Sequence, residues 1–214
     1  MGQVECNWRI PEDWKGETVF IVGGGPSVAH QRPQRLEGRK VVVINSSYEV
    51  CPFADYLFFG DNRWHDDHKG REEFKAFMRR GGKVVTVSHP SSGLYLLKLR
   101  RITPTSEANG LTTTRTGLSS QKTSFQGAMN LAAMLGAKRL VLLGLDGKRT
   151  ESGVSHHHTP HKWPTKPSNI TWDRQKSQLQ FIVEPLKKMG VEVFNTCPDS
   201  SFTYWPFAPL EGFL

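Results

Sequence analysis

Six short apolar runs constrain this chain more than any other feature: TVFIV (18–22), KVVVIN (40–45), DYLFF (55–59), KVVTV (83–87), RLVLLG (139–144) and VEVFN (191–195). They are continuous rather than alternating, the pattern of strands covered on both faces. Helix-compatible stretches lie between several of them. WHDDHKGREEFKAFMRR (64–80) stops at Gly81 and Gly82, and SFQGAMNLAAMLG (124–136) opens on Ser124 as an N-cap and closes on Gly136. WDRQKSQLQFIVEPLKKMG (172–190) ends the same way, with Pro185 predicting a kink. The alternation predicts an α/β fold, a Rossmann-like open, mostly parallel sheet with helices on both faces. At 214 residues the chain is expected to form a single domain over 1–214.

Two segments stand outside this scheme. Residues 88–123 are rich in Ser, Thr, Gly and Arg, and residues 145–171 carry Pro, Gly, Lys and a histidine cluster. Long loops in a compact domain are usually functional or mobile, and both are expected at the C-terminal ends of strands, where open α/β sheets bind ligands.

Composition narrows the class. Hydrophobic residues at 37% and charged ones at 22% are ordinary for a globular protein. No apolar stretch approaches the ~20 residues of a membrane span, and the N-terminus lacks the apolar core of a signal peptide, so a cytoplasmic location is expected. Cys6, Cys51 and Cys197 form no CxxC pair, which argues against a disulfide framework or a cysteine-rich zinc site. A net charge of +8 suits a polyanionic partner, nucleic acid included, or phosphorylated small molecules, although no recognisable nucleic-acid motif accompanies it.

The first run ends in Gly23, Gly24, Gly25, Pro26 and Ser27. A strand, a glycine turn and a helix N-terminus present amide hydrogens and the positive end of a helix dipole, which favours a phosphate. Pro26 fits a first helical turn without needing an N–H, and Ser27 supplies a hydroxyl. A dinucleotide fingerprint would want glycine where Val28 stands and an acid where Asn45 stands. Both departures weigh against NAD, while the Asn45 amide suits a ribose hydroxyl or base carbonyl, so a single nucleotide is favoured over a dinucleotide. The plainer reading is a tight βα turn with no ligand.

Other strand ends carry reactive groups. GDNRW (60–64) offers Asp61, Asn62 and Arg63: Asp61 caps a helix, or joins Asp146 around magnesium, and Arg63 neutralises a leaving phosphate. SHHHTPH (155–161) places His156, His157, His158 and His161 in one loop, open to roles as general base, metal ligand or exposed imidazole. Arg115 and Lys122 are further phosphate candidates. Trp172 and the tail FTYWPF (202–207) are expected to pack rather than to stack on a ligand.

In this order, IVGGGPS, VVINSSYE, ADYLFFGDNRW, TSFQGAMNLAAMLGAKRLVLLGLDGK and VEVFNTCPDSSF resemble the bacterial CMP-sialic-acid sialyltransferases over roughly residues 18–205. They are equally similar to the Rossmann-like group around the archaeal-type 6-hydroxymethylpterin pyrophosphokinase and to uncharacterised phage-encoded proteins with a GxD strand end and a histidine-rich loop. The sialyltransferase resemblance implies nucleotide contacts from Gly23, Gly25, Ser27 and Asn45, with Gly24 where the family has asparagine. Its Thr-Ser-Gly turn matches Thr123 and Ser124, with Phe125 in place of the small residue, and Asp146 falls at the acidic strand end. It further implies a nucleotide-sugar donor, a histidine base among 156–161 and no required metal or other cofactor. A nucleic-acid acceptor, such as phage DNA, is the extension that charge and resemblance suggest. The pterin resemblance implies magnesium-dependent pyrophosphoryl transfer centred on Asp61 and Asp146. A binding protein that has lost catalysis is the third expectation.

Overall fold

The computed structural model describes residues 6–88, 93–159 and 169–214. In chain order the elements are β1 (Thr18–Val22), α1 (Val28–Gln31), β2 (Lys40–Ile44), β3 (Tyr56–Phe59), α2 (Asn62–His68), α3 (Glu72–Arg79), β4 (Lys83–Thr86), β5 (Leu96–Lys98), β6 (Arg100–Ile102), β7 (Gly117–Ser119), α4 (Ser124–Met134), β8 (Arg139–Leu143), α5 (Asn169–Lys188) and β9 (Glu192–Asn195). Seven strands form one sheet in the order β5-β4-β3-β2-β1-β8-β9, every pairing parallel. The expected α/β class is therefore the observed one.

The continuous apolar runs are explained by burial on both sides. In β1, Val19 and Ile21 enter the core beneath α4 and α5, whereas Phe20 and Val22 enter a second core with Trp64, Phe74 and Phe77 of α2 and α3. Successive strand residues point to opposite faces, so a strand with two covered faces cannot alternate apolar with polar. Helix α4 is buried along nearly its whole length. Its polar Asn130 pins it to the 110–119 segment, the side-chain oxygen accepting from the amides of Thr112 and Ser119 at 3.1 and 2.9 Å and the amide donating to the Thr112 carbonyl at 3.0 Å.

Two expectations are revised. The helix read at 64–80 is two helices, α2 and α3, separated at Lys69, Gly70 and Arg71. Gly70 weakens a helix interior, and Arg71, in extended backbone, pairs with Glu49 and Asp67 instead of continuing it. The segment 88–123 also carries structure: β5 extends the main sheet beside β4, and β6 and β7 make a separate two-stranded parallel ladder.

Helix α5 runs through Pro185. Proline has no N–H for the carbonyl of Phe181 four residues earlier, and the backbone of Gly110 lies against that carbonyl. A Cβ on Gly110 would stand 1.8 Å from the Phe181 oxygen, so the absent side chain is what lets the 107–110 turn dock on α5. Gly110→Ala is expected to cost about 1–3 kcal/mol, lowering Tm by about 3–10 °C in differential scanning calorimetry; an unchanged Tm would show that this approach is not tight.

Candidate functional site

Strand order reverses between β1 and β8, the position at which open parallel sheets leave a crevice beyond the strand ends. A cavity of about 210 Å³ lies there, bounded by Gly24 and Gly25 after β1, Ile44 and Asn45 at the end of β2, Lys122 to Phe125 at the start of α4, and Gly144 to Lys148 after β8. Ser155, His156 and His158 form another wall, and Trp172, Gln175 and Phe202 complete it.

The glycine turn is shaped by what it touches. Gly23 lies against the Phe125 ring, where a Cβ would meet the ring at 2.2 Å, and Gly25 lies against Asp146 and Gly144, where a Cβ would be 1.9 Å from the carboxylate. The amides of Gly23 and Gly25 donate to the Leu143 and Gly144 carbonyls at 2.9 and 3.0 Å. Asp146 accepts from the Ser27 amide at 3.1 Å and the Ser27 hydroxyl at 2.9 Å, and the Cys197 thiol adds a weaker contact at 3.8 Å. These bonds revise the expectation of free amides. The protein's own carboxylate holds the start of the four-residue α1, and of the turn only Gly24 and Gly25 border the crevice. Burial raises the Asp146 pKa, with the Ser27 and Cys197 hydrogen bonds opposing it.

The second helix end differs. Thr123, in extended backbone, caps α4 by accepting from the Phe125 amide at 3.2 Å, and the positive end of this 11-residue helix borders the crevice beside Lys122 and Lys148. Asn45 and Lys122 both hold positive φ, 51° and 55°. Such backbone in a non-glycine residue stores about 1 kcal/mol or more and tends to occur at ligand sites. The Asn45 Oδ1 is buried and has no hydrogen-bond partner among the described residues.

The histidine loop contributes three distinct environments. His156 and His158 stack with ring centroids 5.0 Å apart and face Gly24, whose Cβ position is 3.3 Å from His156 Nδ1 and 3.4 Å from His158 Nε2. His158 Nδ1 lies 2.9 Å from the Thr159 carbonyl; an oxygen of that kind only accepts, so Nδ1 carries the hydrogen and Nε2 the lone pair in the neutral ring. Burial pushes the His158 pKa below its ordinary value, which keeps the ring neutral. His157 turns away to the Ser47 hydroxyl at 3.1 Å, and its pKa is pushed down to about 4 by burial and then by the neighbouring His158 and His156.

Not every candidate converges. Gly24, Gly25, Asn45, Thr123, Ser124, Asp146, His156 and His158 line the crevice; Gly23, Pro26 and Ser27 are not among its lining residues; His161 lies outside the described residues. Asp61, Asn62 and Arg63 are not in the lining either. Asp61 caps α2 by accepting from the Arg63 amide at 2.9 Å and pairs with the Arg63 guanidinium at 2.7 Å, so Asp61 and Asp146 do not line one pocket. Arg115 is held by the carbonyls of Ile10, Pro11 and Met134 and by Glu12, a structural role. Among the described residues no group of three or more His, Cys, Asp or Glu is arranged to hold a metal. No helix among them is long and apolar enough to cross a membrane. Lys148, Ser155 and Gln175 were not singled out in the sequence. Trp172 and Gln175 share a face of α5 at i and i+3, a spacing that places them together once the helix is known to meet the crevice.

The histidines make stability depend on pH. With His157 titrating near 4 in the fold and near 6.5 in the unfolded chain, the unfolded state binds the extra proton between these values, and stability is lost as pH falls from about 6.5 to about 4. His157→Gln is expected to reduce the slope of unfolding free energy against pH in that window by up to one proton, measured by urea denaturation at stepped pH. An identical slope would contradict the assignment.

No protein-family model matches the chain, and no curated protein matches it. Among solved structures it is similar to the MAf glycosyltransferase from Magnetospirillum magneticum AMB-1, with a TM-score of 0.56 and 16% identity over 88% of this chain. The match takes in 33% of that protein, so the chain spans about one third of its length. At this identity the likeness concerns fold: the chain has the α/β architecture found in that glycosyltransferase.

Proposed function

We propose that the protein is a nucleotide-dependent transferase of glycosyltransferase type, taking a nucleotide-sugar donor in the crevice between β1 and β8. The observation that carries this reading is the convergence, at the strand-order reversal, of a capped helix end, two lysines, a strained asparagine and a neutral histidine. The fold likeness to a glycosyltransferase supports the reaction class. The donor phosphate belongs at the N-terminus of α4, near Ser124, Lys122 and Lys148, because Asp146 already holds the other helix end. Asn45 is suited to accept from a ribose hydroxyl or a base amine, and Trp172 offers a face for the base.

In this reading His158 Nε2 accepts the proton of the acceptor hydroxyl as its oxygen bonds to the anomeric carbon. The bond from that carbon to the donor phosphate breaks, and the charge left on the phosphate is met by α4 and the lysines. The net charge of +8 favours an anionic acceptor, nucleic acid among them. Magnesium-dependent pyrophosphoryl transfer has less support, since the Asp146 oxygens are engaged by Ser27 and Cys197 and Asp61 by Arg63.

A thermal-shift panel of CMP, UDP, GDP, ATP and their sugar conjugates, each with and without magnesium, tests the reading. At a hundredfold excess over Kd a bound nucleotide stabilises by about 2.7 kcal/mol, a rise in Tm of about 5–10 °C. Asn45→Ala is expected to abolish the shift. His158→Ala should keep it and lower kcat by about 10²- to 10⁴-fold, and the wild-type kcat should decline only below about pH 6.5, as the base takes up a proton. A flat response to every nucleotide would overturn the proposal.

A further inference from the structure

Of three successive histidines the outer two face Gly24 together, and the middle one has no place among the groups that line the crevice. Its surroundings are nevertheless well defined. The backbone N–H of His157 donates to the Gly24 carbonyl at 3.0 Å, and its Nε2 lies 3.1 Å from the hydroxyl of Ser47. Ser47 is fully buried in the turn after β2, and its hydroxyl donates at 2.9 Å to the Gly23 carbonyl. A hydroxyl has one hydrogen, and a carbonyl only accepts. With that hydrogen directed at Gly23, Ser47 must accept from His157 Nε2–H, which leaves Nδ1 as the bare nitrogen; Nδ1 is buried with no partner among the described residues.

We propose that Ser47 and His157 form a latch that ties the histidine loop to the glycine turn, with His157 a positioning residue that sets His158 over Gly24. The latch joins three strand ends: the turn after β2 through Ser47, the turn after β1 through the Gly23 and Gly24 carbonyls, and the loop after β8 through His157. Because His156 and His158 flank the latched residue, their stacked rings are held at 3.3 and 3.4 Å from the Gly24 Cβ position. Neighbouring histidines are thereby fixed in opposite tautomers, His157 protonated on Nε2 and His158 on Nδ1. The functional half of this inference rests on His158 being the base; the structural half does not.

The test uses Ser47→Ala, His157→Phe and His157→Gln in the full chain. Glutamine places an amide N–H near the position of Nε2 and keeps the donor to Ser47; phenylalanine keeps the bulk and loses it. Amide hydrogen exchange of residues 153–159 is expected to quicken at least about tenfold in Ser47→Ala and His157→Phe and to stay near wild type in His157→Gln. With the nucleotide-sugar that binds in the panel, kcat should fall about 10- to 100-fold in the first two variants, with Kd for the bare nucleotide within about threefold, and recover in His157→Gln. Nitrogen NMR of the wild-type histidines reads the tautomers without any variant. Finding His157 protonated on Nδ1, or finding exchange and kcat unchanged in His157→Phe, would overturn the latch. If His158→Ala leaves turnover intact, the base assignment fails on its own, and exchange and tautomer still decide the latch.

Discussion

The hydrogen bonds from Ser27 to the Asp146 carboxylate are the constraint on which the shape of the site depends. They join the turn after β1 to the turn after β8 across 119 residues of sequence. A carboxylate in that position does what a bound phosphate does at many glycine turns, neutralising the start of a helix with a negative charge. Gly25 has no side chain because the carboxylate and the Gly144 carbonyl occupy the space where one would stand. With this helix start occupied from within, the start of α4 is the capped helix end that borders the crevice.

This division accounts for the shape of the site. One helix end is a structural joint, held by Asp146, and the other borders the crevice. Phe125 belongs to the same arrangement. Its ring fills the space beside Gly23, so the glycine turn and the start of α4 are packed directly on each other. The histidine loop then meets Gly24 from a third side, the His157 amide donating to the Gly24 carbonyl at 3.0 Å and His156 and His158 lying over the glycine.

Much of the fold was legible in the sequence. All six apolar runs became strands of one sheet; in five of them double-sided burial left a mark that depends on neither partner nor register, whereas β9 is an edge strand with Glu192 exposed. Strands β5, β6 and β7 left no such mark: each has three residues, and β6 is largely exposed, so propensity and burial gave nothing to read. At the site the glycine turn, Asn45, Ser124 and the histidine cluster were all visible as unusual residues at strand or helix ends. What they touch was not. The Asp146 contact, the Phe125 ring against Gly23 and the Ser47 bond to His157 each join residues more than about a hundred positions apart. Three identical histidine letters likewise cannot show that the middle ring turns away from the other two.

We propose that a ligand phosphate sits at the start of α4, while Asp146 engages the glycine turn. Amide NMR during separate titrations with CMP, UDP, GDP and ATP measures this most directly. The largest shifts are expected at Lys122, Thr123, Ser124 and Gly24, with the Trp172 indole responding and the Gly25 and Ser27 amides nearly still. Dominant shifts at Ser27 and Gly25, or at Asp61 to Arg63, would contradict it.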